Sequence, residues 1–287
     1  MTTPATALVL GGGGISGIAW EIGLIVGLAE HGIDLTAADT FVGTSAGSVV
    51  STLVACGETL PDLYDSQLAD PSGEEVVKMD TGIILRFALA YLTPGSAPRK
   101  LRRIGRLALR ARTGDETERV EVIRSMMGDR VWPDRRLLIT AVDAGSGETQ
   151  VFDNGSGVDL VRAVAASCAV PLIWPPVAVN GRRYVDGGMR SPVNADLARG
   201  ASHIVAIAPI VASYNRATRV DTQLRSLGPD VAWTIVKPDP EASRALGKNL
   251  LDPRHRASSV RAGREQAARV AEQVRAAWPA PPGAIGR

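Results

Sequence analysis

Three short stretches carry residue types that could do chemistry together. "FVGTSAGSVV" (residues 41–50) sets Ser45 between Gly43 and Gly47, after a strand-like apolar run and before a helix-like one. Small residues there let a strand turn sharply into a helix, and the same turn can hold a hydroxyl out at the sheet end as a nucleophile elbow. Side chains at Gly43 or Gly47 would crowd that turn and block approach to the hydroxyl. The positive end of a helix beginning at Ala46 would favour negative charge beside the serine, with the Ala46 N–H as a donor. "LVLGGGGISG" (residues 8–17) bares further N–H groups at Gly12, Gly13 and Gly14 where a helix starts. That is a cradle for a phosphate or for an oxyanion developing in a reaction. Finally, "YVDGG" (residues 184–188) places Asp186 at a strand end, followed by Gly187 and Gly188. A carboxylate there could take the serine proton if its surroundings raise its basicity and exclude water. The plainer alternative is that Asp186 caps a turn, since Asp-Gly is common in turns.

The glycine loop admits a second reading. Gly12, Gly14 and Gly17 match the G-x-G-x-x-G dinucleotide fingerprint, which would make the chain a nucleotide-binding oxidoreductase. Such a site wants an acidic residue at the end of the second strand to hold a ribose. Here that strand ends in "GTSAG", and Asp34 and Asp39 both precede it.

The elements that must position these residues are legible from periodicity. "TALVL" (6–10) and "TFVG" (40–43) read as buried strands, each feeding a helix, residues 17–30 and 46–56, closed by Gly32 and Gly57. "LLITAVD" (137–143), "TQVFD" (149–153), "HIVAIAP" (203–209) and "VAWTIVKP" (231–238) are further strands, with a helix over 158–167. Asn180-Gly181 between two strand-like pieces predicts a hairpin that delivers Asp186. Residues 60–134, broken by five prolines, read as a helical insertion over the sheet, and 256–278 as a closing helix followed by a frayed tail over 279–287. Strand–helix alternation argues for a parallel sheet covered on both faces. No internal repeat and no sharp compositional break divides the 287 residues.

Composition narrows the function classes. Net charge is +2, which calls for no nucleic-acid partner. Its distribution is uneven: residues 1–77 contain no Lys or Arg, while Arg86–Arg112 holds eight basic residues and no acidic one. In the second half of that segment Leu101, Ile104, Leu107 and Ala108 share one helical face, with Arg102, Arg103, Arg106 and Arg110 largely off it. The pattern fits a cationic cap edge meeting lipid surfaces and, equally, a solvated helix packed on the sheet. Cys56 and Cys168 lie in apolar stretches and read as buried small hydrophobes. Three scattered histidines build no metal site, and no cofactor is expected. The start of the chain lacks a basic leader, and charges interrupt the best apolar runs, so the expected location is cytoplasmic, with or without peripheral membrane contact.

Taken together the three motifs resemble the patatin-like phospholipase family over roughly residues 5–210. "LVLGGGGISG" looks like its oxyanion loop, "GTSAG" its nucleophile elbow and "YVDGG" its Asp-Gly-Gly/Ala motif; "AASCAVPLIWPPVAVNGRRYVDGG" is similar to its run from helix to aspartate. The resemblance implies a three-layer α/β/α fold and lipid acyl-ester hydrolysis by a Ser-Asp dyad. It carries the nucleophile to Ser45, the base to Asp186 and the oxyanion hole to Gly12, Gly13 and Gly14. Residues 211–287 are then a strand and helix packed on the same domain. One departure stands out: family members often carry Arg or Lys just before the last loop glycine, where this chain has Ser16. Any local positive charge must come from elsewhere, and Arg190 is the candidate. A catalytically silent lipid-binding protein of the same fold is the third alternative, against which the intact Ser and Asp speak.

Chain order also permits a conventional triad of Ser45, Asp186 and His203. Position argues against it. Ser45 follows its strand, whereas His203 precedes its own, so parallel strands hold the two at opposite sheet edges. His31, after the first helix, also belongs at the amino edge, and no histidine is expected in the chemistry.

Overall fold

The computed structural model of the chain describes residues 5–71, 76–77, 82, 87, 89–90 and 92–279. Eight strands form one mixed sheet: β1 (Thr6–Leu10), β2 (Thr40–Thr44), β3 (Arg136–Asp143), β4 (Thr149–Phe152), β5 (Val177–Val179), β6 (Arg182–Asp186), β7 (His203–Ile207) and β8 (Ala232–Val236). The order is β5-β6-β3-β2-β1-β7-β8, with β4 also paired to β3. The five strands from β3 to β8 run parallel, while β4 and the β5–β6 hairpin attach to β3 antiparallel. Asn180 (φ 47°) and Gly181 (φ 76°) make the expected hairpin turn, both in the left-handed conformation that a type I′ turn requires.

Period-two alternation in β1 shows how the sheet is covered. Leu8 and Leu10 enter one apolar layer with α1 (Gly14–Glu30), α2 (Ala46–Ala55) and the C-terminal helix α9 (Arg256–Ala277). Ala7 and Val9 enter the opposite layer, closed by α7 (Val220–Arg225) and the turn around Val193–Ala198. The remaining helices are α3 (Leu60–Ser66), α4 (Ala97–Arg110), α5 (Glu116–Met127), α6 (Leu160–Ser167) and α8 (Pro240–Leu246). α1 and α9 pack at close quarters because both carry glycine at the contact. A Cβ on Gly23 would stand 2.0 Å from the Val260 carbonyl oxygen, and one on Gly263 would stand 2.3 Å from that of Trp20. The Trp20 indole donates to Gln266 Oε1 at 3.0 Å across the same seam.

The described part of the insertion is largely helical; α4 packs against β3 and β6, and α5 against α6 and α2. Leu101, Ile104 and Ala108, the apolar face of α4, are buried against Val142, Ala144, Val185 and Phe87. Three of the four residues expected on that face are thus buried in the protein, while Leu107 remains 37% exposed. Solvent meets Arg102, Arg106 and Arg110 together with Leu107 and Leu109. Arg86, Ala88 and Tyr91 of the basic segment lie outside the described residues, as does the tail from residue 280. Among the described residues no helix is long and apolar enough to cross a membrane.

Candidate active site

Ser45 sits between β2 and α2 at φ 51° and ψ −119°, a conformation that costs a non-glycine residue of order 1–3 kcal/mol and persists only where neighbours enforce it. The enforcement is visible. The Ser45 N–H donates to Ser167 Oγ at 2.9 Å, and the Ser45 carbonyl accepts from the Ser48 hydroxyl at 2.6 Å and the Ser48 N–H at 2.8 Å. The flanking glycines leave no alternative. A Cβ on Gly47 would lie 2.2 Å from the Leu10 carbonyl oxygen, and one on Gly43 would lie 2.3 Å from Ser51 Oγ.

Asp186 arrives at the end of β6. Its backbone N–H donates to the Ala169 carbonyl, and its side chain is buried. The Ser45 hydroxyl donates to Asp186 Oδ2 at 2.6 Å, and Oδ1 accepts the Gly188 N–H at 2.7 Å. Gly187 permits the turn because a Cβ there would stand 2.3 Å from Thr140 Oγ1. Burial pushes the Asp186 carboxyl up to about 6, against the Ser45 and Gly188 hydrogen bonds and the charge of Arg119, which pull it down. The group is therefore ionised at neutral pH yet far more basic than a surface aspartate.

The glycine loop follows β1. Among the described residues the N–H groups of Gly13, Gly14 and Ala46 have no acceptor, and all three residues line the cavity beside Ser45. Gly12 leaves this set: its N–H already donates to the Pro192 carbonyl at 2.8 Å. A Cβ there would make only an ordinary van der Waals contact, 3.5 Å from Ser45 Cβ. Gly17 lies in the first turn of α1, and its N–H closes that turn onto the Gly13 carbonyl. The dinucleotide reading loses further ground. Position 45, where a ribose-binding acid would be sought, is the serine, and Asp39 is occupied by Thr6.

The cavity holds about 1690 Å³ and is bounded by the loop, the elbow and the wall of α4 and α5. Arg190, the expected source of positive charge, is committed to Asp196 at 2.6 Å and Asn194 at 2.6 Å. Arg119 of α5 lines the cavity instead, its guanidinium carbon 4.0 Å from the centre of the Trp174 ring and its charge acting on Asp186. Sequence reading missed Arg119; its one local signal is a cation in the first turn of a helix, where the dipole disfavours it. Asn194 was missed as well. Held at φ 54°, it directs Nδ2 toward Thr44 Oγ1 (3.0 Å), Thr140 Oγ1 (3.3 Å) and the carbonyls of Gly187 and Ser191, tying the ends of β2 and β3 to the aspartate turn. None of the three histidines lines the cavity. His203 pairs in register with Thr6, at the amino end of the sheet, and its Nδ1 lies 3.0 Å from the Ala277 carbonyl oxygen. Among the described residues no group of three His, Cys, Asp or Glu side chains could hold a metal ion.

A mixed α/β sheet thus carries a strained serine after its second strand, hydrogen-bonded to a buried aspartate at the mouth of a cavity that no histidine lines. The family model for patatin-like phospholipases matches residues 8–199, and the chain belongs to that family. Relatives include an uncharacterised NTE family protein of Mycobacterium tuberculosis, 28% identical over 206 residues, covering 68% of this chain and 48% of that protein. Lysophospholipase NTE1 of Candida albicans is 26% identical over 211 residues, covering 72% of this chain and 13% of that protein. The chain thus spans about half the length of its mycobacterial relatives, at 48%. Among solved structures, VipD of Legionella pneumophila aligns with a TM-score of 0.47 at 14% identity, over 94% of this chain and 67% of that one.

Proposed function

We propose that the chain hydrolyses carboxylic esters of lipids through an acyl-enzyme on Ser45, with Asp186 as the only general base. The 2.6 Å hydrogen bond from the Ser45 hydroxyl to Asp186 Oδ2 carries the reading, because it joins a poised nucleophile directly to a carboxylate of raised basicity. Asp186 takes the serine proton as Oγ attacks the ester carbon. The carbonyl oxygen, now negative, is held by the N–H groups of Gly13, Gly14 and Ala46 at the starts of two helices. Collapse expels the alcohol, which receives the proton back from Asp186. A water then repeats the sequence on the acyl-enzyme: Asp186 takes its proton, the fatty acid leaves, and Ser45 regains its hydrogen. The apolar wall of the cavity suits an acyl chain, and belonging to the patatin-like family supports a lipid as the substrate.

A fluorophosphonate probe tests the nucleophile: it should label the wild type and not Ser45→Ala. An acyl series of phospholipids, lysophospholipids and simple esters then identifies the preferred substrate. Equal labelling of both proteins, or turnover by a folded Ser45→Ala protein, would remove Ser45 from the mechanism.

A further inference from the structure

We infer that Glu21 is a positioning residue of the oxyanion cradle: standing uncharged against Gly11, it lets the glycine loop and the elbow close on each other, and its ionisation would part them. The inference rests on the hydrolase reading for the task of the cradle and on packing for everything else. Glu21 lies in the second turn of α1 and is 0% exposed, and neither carboxyl oxygen has a hydrogen-bond partner among the described residues. An ionised carboxyl buried without a partner is costly, and an apolar side chain of similar volume would pack there at less cost. Burial pushes the Glu21 carboxyl well above its usual range, and no charged side chain opposes that push. The elements packed on α1 explain why. α2 carries no ionisable side chain, while Asp62 and Asp65 of α3 and Glu241 and Arg244 of α8 are exposed. Arg264 of α9 is bonded to Glu30 and stacked on Tyr64, and His255 lies against Gly247.

The polar group that faces Glu21 is the Gly11 N–H, which is already spent on the Ile207 carbonyl at 2.9 Å. Gly11 is the joint between the catalytic pieces. Its carbonyl accepts the Gly47 N–H of the elbow at 2.9 Å, the next N–H, of Gly12, donates to Pro192 at 2.8 Å, and the donors of Gly13 and Gly14 follow directly. The joint has little room to shift: a Cβ on Gly11 would stand 3.2 Å from the Pro192 carbonyl oxygen and 3.3 Å from that of Ile207. A neutral acid can rest beside it. A carboxylate would draw in water, and water reaches Glu21 only if α1 moves off the joint and takes Gly14 with it. The charge would also oppose the oxyanion directly. Glu21 stands seven residues beyond Gly14, about 10 Å along the helix. At an effective dielectric of about 20, a second negative charge at that range slows the reaction roughly 10–20-fold.

Infrared spectroscopy of the full chain reads the charge state directly. At about pH 8 the Asp186 carboxyl, which titrates at about 6, is ionised, so the wild type should keep a protonated-carboxyl band that Glu21→Gln lacks. The cradle is read by the rate at which a fluorophosphonate labels Ser45 between about pH 7 and pH 10, each protein scored against its own rate at the lower end. Wild-type labelling should fall roughly 10–20-fold as Glu21 ionises, while Glu21→Gln stays within about twofold of its starting rate. Circular dichroism checks folding, and Glu21→Met, apolar and of similar length, replaces the amide if that variant does not fold. No wild-type band, a band that survives in Glu21→Gln, a flat wild-type profile, or the same fall in both proteins would each overturn the assignment. Ester hydrolysis is scored separately. A chain that shows the band and the Glu21-dependent fall yet cleaves no ester refutes the hydrolase reading alone.

Discussion

The floor of the cavity and its wall are built by different rules. On the floor, every group near the reacting centre lies within a few residues of a strand end: Gly13 and Gly14 after β1, Ser45 and Ala46 after β2, Asp186 at the end of β6. Backbone contacts without tolerance hold them, such as the Leu10 carbonyl against Gly47 and Thr140 against Gly187. The wall is made of side chains on helices. Ile123 and Ile104 are buried, whereas Val122 and Met126, both lining the cavity, remain 43% and 37% exposed. A floor fixed by backbone can place a proton to a few tenths of an ångström. A wall of half-exposed side chains can change which substrate is accepted without disturbing that placement.

This contrast predicts that floor substitutions act on kcat and wall substitutions on KM. The largest effect is expected at the dyad. Ser45→Ala and Asp186→Asn should each lower ester turnover by at least ~10³-fold with the fold intact, since neither variant can pass the proton. Retained turnover in Asp186→Asn would return the aspartate to a turn cap. The same variant should be the more stable protein at high pH. Folding holds the Asp186 carboxyl above its unfolded value, so its contribution to stability is full in acid and is lost as pH rises through about 6. An amide never ionises, so urea unfolding should find Asp186→Asn ahead of wild type by up to about 3 kcal/mol at pH 8 and little ahead at pH 4.

Next comes Asn194→Ala, which unties β2, β3 and the aspartate turn while touching no substrate. A ~10–100-fold fall in kcat with KM little changed is expected, with about 1–3 kcal/mol lost from stability for the buried groups left unpaired. If KM alone moves, the floor is not what Asn194 holds. The pH profile gives a finer test. kcat/KM should fall in acid with an apparent pKa of about 6, and Arg119→Gln should move that limb upward because a positive charge that favours the Asp186 carboxylate has gone. On the wall, Val122→Trp should raise KM for long-chain esters by about 3–10-fold and alter short-chain esters less, as read from an acyl series. His203→Ala, at the far edge of the sheet, should stay within about threefold of wild type, and a loss near that of Ser45→Ala would replace the dyad with a triad.

The same division governs what can be read from the chain alone. Ser45, Asp186 and the glycine loop announce themselves because their constraints are local: a serine between glycines, an aspartate before two more, each at the end of an apolar run. The strands from β1 to β8 were legible to within a residue or two for the same reason, through alternation and bounding Gly and Pro. Gly12 fails because the bond that occupies it comes from Pro192, far along the chain. Arg119 and Trp174 meet only when the insertion folds over the sheet, and Asn194 reaches Thr44 across 150 positions. No periodicity encodes such meetings. Arg190 fails differently, since Asp196 six residues on is a local ion-pair partner that spacing alone could have suggested.

The attachment of the glycine loop has a consequence in time. The turn that holds the serine is walled by Leu10, Ser48 and Ser51, all present once the first fifty or so residues have been made. The oxyanion donors wait much longer: the Ser16 N–H is tied to the Leu250 carbonyl at 3.1 Å, and Gly14 rests against that same carbonyl. A ribosome adding roughly 5–20 residues per second needs on the order of 10–40 s to travel from the elbow to Leu250. Throughout that interval the nascent chain carries its serine but not the finished cradle that would let it react. On the proposed reading the cradle is completed last, by a segment around Leu250 that itself lines the cavity.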